Sequence, residues 1–446
     1  MARITTAEIA SAGVVGAGGA GFPTYVKLLA KPDTIVLNAA ECEPLLHKDK
    51  EMLLHRTSEV IDGVAVAMEL TGAGRAVIGI KHKYHDVIDT VKAALRTGME
   101  VVPIPDAYPS GDEMTLVYET LGRVIPPGGL PIAVGVVVMN VETARNLGRA
   151  AAGQGPVTEK WLTVGGAVAH PVTIRVPIGI PFAECLAAAG GATIDEPYFV
   201  NGGPMMGPLV TDFDHAVVDK TTGGILVLPK TTPVIRNLLR DWNGIQRIGK
   251  SACDQCCICT QLCPRYLLGH PIEPHRAMRA LGFTLVGEPD VAGTQFCCEC
   301  NLCSHFSCPE GLDPRNVCRH NRQKILSERR KWENPPFRPD RPKLLKADRR
   351  APTSRLIGRL GLRPYNVHAA LVDRLISTPR VVIKLKQHVG APCEPLVNVG
   401  ERVHIGQEIG RPPVTDGKPA LGASVHASID GRVTAIDHGC VTIAAE

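Results

Sequence analysis

The amino-acid sequence predicts a multidomain α/β protein made of consecutive modules. Three observations carry this. Strand-like apolar runs alternate with amphipathic helical stretches over the first ~150 residues. Eleven of the 15 cysteines fall between Cys253 and Cys318. The segment 380–446 is rich in Val, Gly and Ile with closely spaced turns, the pattern of a small all-β sandwich or barrel. At 446 residues the chain is long enough for several domains, and 44% hydrophobic with 21% charged residues is the balance of a folded globular protein. No apolar run approaches the ~20 residues of a membrane helix; the longest, such as 132–139, are strand-sized. The N-terminus lacks the apolar stretch of a secretory signal. The expectation is a cytoplasmic protein with no membrane span.

Within the first module, residues 34–38, 76–80 and 134–140 read as buried strands, and 58–70 and 85–97 as amphipathic helices. A mostly parallel sheet covered on both faces follows. The stretch 13–27, Gly-Val-Val-Gly-Ala-Gly-Gly-Ala-Gly-Phe-Pro-Thr-Tyr-Val-Lys, lets bare backbone approach a flat or anionic ligand at Gly16, Gly18, Gly19 and Gly21. Gly16, Gly18 and Gly21 match GxGxxG, yet no strand precedes them, so the dinucleotide fingerprint is incomplete.

Residues 161–207 hold short strands at 162–164 and 172–176, a helix at 181–189 and turn glycines, the outline of a small β-grasp-like module. Charge is uneven. Residues 315–364 carry 16 Lys/Arg against 4 Asp/Glu, a local +12 in a chain whose total is +5. With Pro335, Pro336, Pro339, Pro342 and Pro352, this block reads as an extended, solvated linker. Docking on an acidic partner is the second reading. Nucleic-acid binding is not expected, because few aromatics are interleaved and no recognition motif accompanies the charge.

The cysteines are the sharpest signal. Cys253-x2-Cys256-x2-Cys259-x3-Cys263-Pro264 has the spacing of a bacterial [4Fe–4S] ferredoxin run. Cys297-x2-Cys300-x2-Cys303-x4-Cys308-Pro309 repeats it with one extra residue. In two-cluster ferredoxins the last cysteine of each run ligates the other cluster. Cys253, Cys256, Cys259 and Cys308 are therefore expected on one cluster, and Cys297, Cys300, Cys303 and Cys263 on the other. Zinc also suits Cys-x2-Cys pairs, but two three-plus-one runs each ending Cys-Pro fit iron–sulfur better. Cys257, Cys298 and Cys318 fall outside the pattern and read as small buried packing residues. Two such clusters relay single electrons, so a two-electron centre is expected elsewhere in the chain.

Three further segments join the glycine loop: Asn38-Ala-Ala-Glu41-Cys-Glu43-Pro44, Tyr108-Pro-Ser-Gly111-Asp112-Glu113 and Val138-Met-Asn140-Val-Glu142-Thr143. Together the four resemble the flavin-binding domain of the NADH-oxidising subunit of respiratory complex I. The resemblance implies FMN, with NADH as electron donor. Gly16, Gly18 and Gly19 would lie against the flavin and Lys27 near its phosphate. Asn38, Asn140 and Thr143 would make polar contacts to phosphate and ribityl groups, and Glu41, Gly111, Asp112 and Glu113 would lie on the isoalloxazine or nicotinamide side. One departure stands out. Complex I has aromatic residues beyond the lysine that stack on the NADH adenine, whereas here Leu28-Leu29-Ala30 follow, which implies weaker NADH binding.

Residues 161–207 resemble the soluble-ligand-binding β-grasp (SLBB) module of the RnfC protein of Rnf electron-transport complexes. Gln387 onward and 422–433 resemble a barrel–sandwich hybrid without a carrier lysine. In RnfC that module comes first; here it comes last. This permuted order resembles the PduS-like cobalamin reductases of bacterial microcompartments. The resulting domain expectation is 1–155 for FMN/NADH, 156–232 for the β-grasp module, 233–325 for a helical two-cluster ferredoxin-like domain, 326–378 for the basic linker and 379–446 for the barrel–sandwich hybrid. The resemblance implies cobalamin as acceptor, an adenosyltransferase presenting it, shell or cargo proteins as neighbours and a place inside a microcompartment. The alternatives are an NAD-recycling or ferredoxin/flavodoxin-linked hub in a different microcompartment, or a non-catalytic component of an Rnf-type assembly.

Overall fold

A computed structural model gives the architecture; it describes residues 4–283, 291–332, 335–337, 342–415 and 417–446. The chain opens with α1 (Thr6–Ser11), started by a capping box between Thr5 and Glu8, and the short α2 (Thr24–Leu28). Then come β1 (Thr34–Ala39), α3 (Lys48–His55), α4 (Thr57–Thr71), β2 (Arg75–Lys81), α5 (His85–Ala94), β3 (Met99–Ile104), β4 (Ala107–Tyr108), α6 (Glu113–Leu121), β5 (Val136–Asn140) and α7 (Val141–Ala151). The parallel sheet has the order β3-β2-β1-β5. Side chains alternate across it as the strand period requires: Ile35 and Leu37 face the core under α4 and α7, and Val36 faces the core under α6. The two helices α4 and α7 touch backbone to backbone, since a methyl at Gly63 would lie 1.7 Å from the Ala144 carbonyl oxygen.

The strand order reverses at β1. Its two neighbours, β2 and β5, lie on opposite sides, and Asn38 and Asn140 are register partners at the carboxyl ends of β1 and β5. In open α/β sheets that switch point is where a crevice forms outside the strand ends.

The next module holds β6 (Glu159–Gly166), β7 (Val172–Pro177), α8 (Phe182–Ala188), β8 (Pro197–Asn201) and β9 (Gly224–Pro229). Phe182 and Cys185 of α8 pack with Leu162, Ile174 and Ile225 of the sheet. Short helices follow: α9 (Pro233–Leu238), α10 (Trp242–Ala252), α11 (Ile258–Gln261), α12 (Pro264–Leu267), α13 (Pro274–Ala280) and α14 (Pro314–Ser327). Proline opens α9, α12, α13 and α14, where its missing N–H costs nothing.

The expected solvated linker is corrected here. Part of 326–378, residues 333–334 and 338–341 with Pro339, lies outside the described residues. From Lys343 onward the chain is docked. β10 (Ala351–Pro352) pairs with β4, α15 (Thr353–Arg359) buries Leu356 and Ile357, and β11 (Leu371–Leu375) adds a parallel strand beside β7. The sheet of the β-grasp module is thus completed by a strand from far along the chain, in the order β11-β7-β6-β9-β8. Glu119 pairs with both Lys346 and Arg350. The composition rule for basic, proline-rich segments failed because Leu356, Ile357, Leu360 and Leu362 are interleaved with the charges and all are buried.

The chain ends in a small β module of β12 (Arg380–Lys384), β13 (Glu394–Pro395), β14 (Arg402–Val403), β15 (Glu408–Arg411), β16 (Val414–Thr415), β17 (Lys418–Pro419), β18 (Val425–His426), β19 (Gly431–Asp437) and β20 (Cys440–Ala444). Its sheets are β12-β20-β19-β14 and β13-β15-β18, packed around Ile383, Val403, Ile409 and Val441. Among the described residues no helix is long and apolar enough to cross a membrane.

Candidate functional site

The crevice at the ends of β1 and β5 is bordered by most of the residues expected around a flavin. The glycine loop is closed by Gly16 N–H to Phe22 O (2.9 Å) and Gly21 N–H to Gly16 O (3.0 Å), leaving Gly18, Gly19 and Ala20 exposed at its tip. Thr143 anchors it, accepting from Ala17 N–H at 2.9 Å. Gly18 rests on Asn140, where a methyl would come within 3.4 Å of the Asn140 side chain. Gly19 has φ +110°, and nothing lies within 4 Å of the position a Cβ would take. Bare backbone facing open space is the cradle a planar ring system needs, so these residues fit FMN.

Around this cradle, Asn38 donates to the Gly111 carbonyl (2.8 Å) and Asn140 to Asp49 (2.8 Å). Asn140 also caps α7 by accepting from Glu142 N–H. Glu41 accepts from the N–H groups of Asp49 and Lys50, and burial pushes its pKa up to about 7. The Lys27 ammonium is shared between Glu113 (3.3 Å) and the Val138 carbonyl (3.0 Å). Beyond Lys27, Leu28 is buried and Leu29 is 61% exposed. Asp112 differs from expectation. Its carboxylate caps α6 and holds Arg265 through both oxygens, so it faces the cysteine domain.

Several residues that sequence reasoning passed over hold the crevice together. Glu142 accepts from Trp161 N–H at 3.0 Å and pairs with Lys48 (3.2 Å) and Lys160. Burial pushes the Glu142 carboxyl up, but the two lysines outweigh it and hold the pKa below the usual range. Glu43 accepts from Met205 N–H, and burial pushes its pKa up to about 7. Both glutamates lie inside motifs visible in the sequence, but their partners lie 18 to 162 residues away.

The two cysteine runs fold alike. Gln255 and Cys257 in the first, and Glu299 and Asn301 in the second, all adopt left-handed backbone, with φ 59°, 64°, 56° and 65°. Non-glycine residues rarely do so, and the same two positions after each leading cysteine are involved. Cys253, Cys256, Cys257, Cys259 and Cys308 line one small cavity with His275, Met278 and Leu312. The four cysteines expected on one cluster from the spacing are among these five, together with Cys257, and the thiols gathered here are a donor set that fits a [4Fe–4S] cluster. The Cys259 thiol is pushed up to about 12 by burial and by its neighbours Cys308, Cys253 and Cys256. On the other side Cys300 and Cys303 both sit beside Cys263, and Cys303 also beside Cys297. Here two thiols read as packing residues take a closer place. Cys318 contacts Cys297 and Cys298 contacts Cys300. N–H groups of Glu299 and Leu312 point at the sulfurs of Cys297 and Cys308, both at 3.4 Å.

Flavin crevice and cysteine domain are fastened to one another. Tyr108 donates to the Cys300 carbonyl at 2.7 Å, and Cys300 packs with Tyr108, Leu45 and Leu302 in one buried apolar cluster. Cys256, by contrast, is exposed.

Comparison with known proteins bears on each module. Residues 9–149 match the Nuo51 FMN-binding domain family, 162–209 the SLBB domain, 252–313 the 4Fe–4S dicluster domain and 365–446 the RnfC barrel sandwich hybrid domain. The chain is 43% identical over 437 residues to the cobalamin reductase PduS of Salmonella typhimurium, covering 98% of this chain and 95% of that one. It is 36% identical over 267 residues to the C component of the Na(+)-translocating ferredoxin:NAD(+) oxidoreductase complex of Acetobacterium woodii, covering 58% and 57%. Among solved structures, an NAD+-reducing [NiFe]-hydrogenase in the H2-reduced state aligns with TM-score 0.50 at 20% identity, over 74% of this chain and 63% of that chain, a likeness of fold.

Proposed function

The chain belongs to the family of the PduS cobalamin reductases, and from that membership we propose that it passes electrons from NADH through FMN and two [4Fe–4S] clusters to cob(III)alamin or cob(II)alamin. FMN, when bound, takes two electrons as a hydride and gives them up singly, and the clusters hand them on one at a time. The observation that carries this reading is the fastening of the glycine crevice to the second cysteine run through Tyr108–Cys300 and Asp112–Arg265.

The chain's own residues do the positioning. Thr143 and the Lys48–Glu142–Lys160 network hold the loop tip against Asn140. Asn38 and Asn140 offer amide groups at the crevice floor. Leu45, Tyr108, Met205 and Leu302 form a buried apolar layer beside Cys300, which excludes water between crevice and thiols. Cys303 lies within electrostatic reach of Cys259, so the two thiol groups are neighbours. Because Cys300 is buried against the crevice side and Cys256 is exposed, a cluster held by Cys263, Cys297, Cys300 and Cys303 would lie on the flavin side and one held by Cys253, Cys256, Cys259 and Cys308 on the outer side.

Family membership also supports a place inside a bacterial microcompartment, with an adenosyltransferase presenting the cobalamin and shell or cargo proteins as neighbours. The test is an anaerobic NADH titration of the holoprotein followed by visible and EPR spectroscopy, with cob(III)alamin added afterwards. Flavin bleaching, two reduced cluster signals and then cob(II)alamin are expected. A flavin that NADH never bleaches would remove the donor, and a cobalamin that stays oxidised beside reduced clusters would remove the acceptor.

A further inference from the structure

The turn that carries Cys308 is flanked by arginines that form no ion pair among the described residues. Arg359 donates to the Cys308 carbonyl (3.0 Å) and Arg240 to the Gly311 carbonyl (2.8 Å). Arg355, Arg359 and Arg363 line one open concavity with Phe306, Ser307 and Pro309. All four arginines are exposed. Among the described residues none of the four has an ion-pair partner, whereas Arg315, Arg319 and Arg322 on nearby α14 all pair with Glu299. The only carboxylate on the turn itself, Glu310, is exposed.

We propose that this arginine face is the docking surface for an acidic protein that accepts one electron from the chain. The inference rests on the electron-relay reading above and adds the exit point and the chemistry of the partner. Three features support it. Four unpaired guanidinium groups leave a local positive field that steers an acidic surface onto the face. Three of the cations line the concavity and Arg240 holds the Gly311 carbonyl on the same turn, a spread of charge that suits several carboxylates on a surface. Phe306 and Pro309 add apolar contact to its lining, as a protein interface has. Location supplies the function: the Arg359 guanidinium is one hydrogen bond from the backbone of Cys308, a member of the outer thiol quartet. An acid-rich partner seated here would lie beside the outermost centre of the relay.

The test uses full-length holoprotein reduced by deazaflavin photochemistry, so that it does not depend on NADH. Stopped-flow electron transfer is followed to an acidic flavodoxin, to ferricyanide and to hexaammineruthenium(III). In Arg355→Glu/Arg363→Glu the flavodoxin rate constant should fall by about tenfold or more and lose most of its dependence on ionic strength. Ferricyanide should also slow and the ruthenium cation should speed up, at unchanged iron and flavin content. The neutral variant Arg355→Gln/Arg363→Gln should lie between, and it stands in if the charge-reversed protein loses iron. Equal flavodoxin rates in parent and variants, at all ionic strengths, would overturn the proposal. So would slowing of all three acceptors alike. Failure of NADH to bleach the flavin in the parent protein would instead strike the functional reading and leave the arginine face tested on its own.

Discussion

Arg265, two residues past Cys263, reaches across to hold both carboxylate oxygens of Asp112, the residue that caps the helix beside the flavin crevice. Both side chains are largely buried, at 8% and 14% exposure. Removing one partner of such a pair leaves the other charge without compensation.

Asp112→Asn is therefore expected to destabilise the protein by about 3 kcal/mol, read as a lower unfolding temperature. The double variant Asp112→Asn/Arg265→Gln should recover part of that loss, because the stranded guanidinium is gone. Additive effects of the two substitutions would show that the pair is not coupled.

Crosswise ligation predicts a crosswise defect. Cys263→Ala, in the first run, should abolish the EPR signal of the cluster held by Cys297, Cys300 and Cys303, and Cys308→Ala should abolish the other. Each variant should retain about four of about eight iron atoms. If Cys263→Ala keeps both signals, Cys298 or Cys318 is serving as the fourth ligand.

Gly19 has φ +110° and open space where a side chain would project. Gly19→Val should purify with little or no flavin while its far-UV circular dichroism stays that of the parent, since the loop tip is exposed. Full flavin occupancy in this variant would displace the ring from the loop.

Leu29 is the exposed residue of the Leu28-Leu29-Ala30 stretch that follows Lys27, where the complex I resemblance implies aromatic partners for adenine. Leu29→Phe should lower KM for NADH by roughly fivefold, corresponding to about 1 kcal/mol of stacking, with kcat nearly unchanged. No change in KM would place the adenine elsewhere.

Glu43 gives the protein a pH dependence of definite sign. Burial pushes its folded-state pKa up to about 7 from 4.5, so the folded state keeps a proton that the unfolded chain has released. Its proton-linked stability is complete below about pH 4.5 and is lost as pH rises to about 7. Glu43→Gln should flatten that part of a denaturation-versus-pH profile and raise stability above pH 7 relative to the parent. Glu41, also near 7, leaves a residual slope of the same sign. An unchanged slope in the Gln variant would mean Glu43 is ionised in the fold.

The sequence by itself determined the modules and most of the chemistry. Cysteine spacing is covalent, so the two three-plus-one runs announce their clusters before folding is considered. Glycines at 16, 18 and 19 announce close backbone approach, and alternating runs such as Thr34–Ala39 announce buried strands. What only the tertiary structure decided depends on partners far apart in the chain, for which local pattern carries no signal. Arg265 finds Asp112 across 153 residues and Tyr108 finds Cys300 across 192. Left-handed backbone at Gln255, Cys257, Glu299 and Asn301 is set by closing the thiols around a site, not by those residues' own preferences. Cys298 and Cys318 looked like packing residues because contact with another thiol is a matter of space. The basic segment looked like a linker because composition counts its charges, whereas folding used the leucines between them to bury the strap and turn its arginines outward beside Cys308.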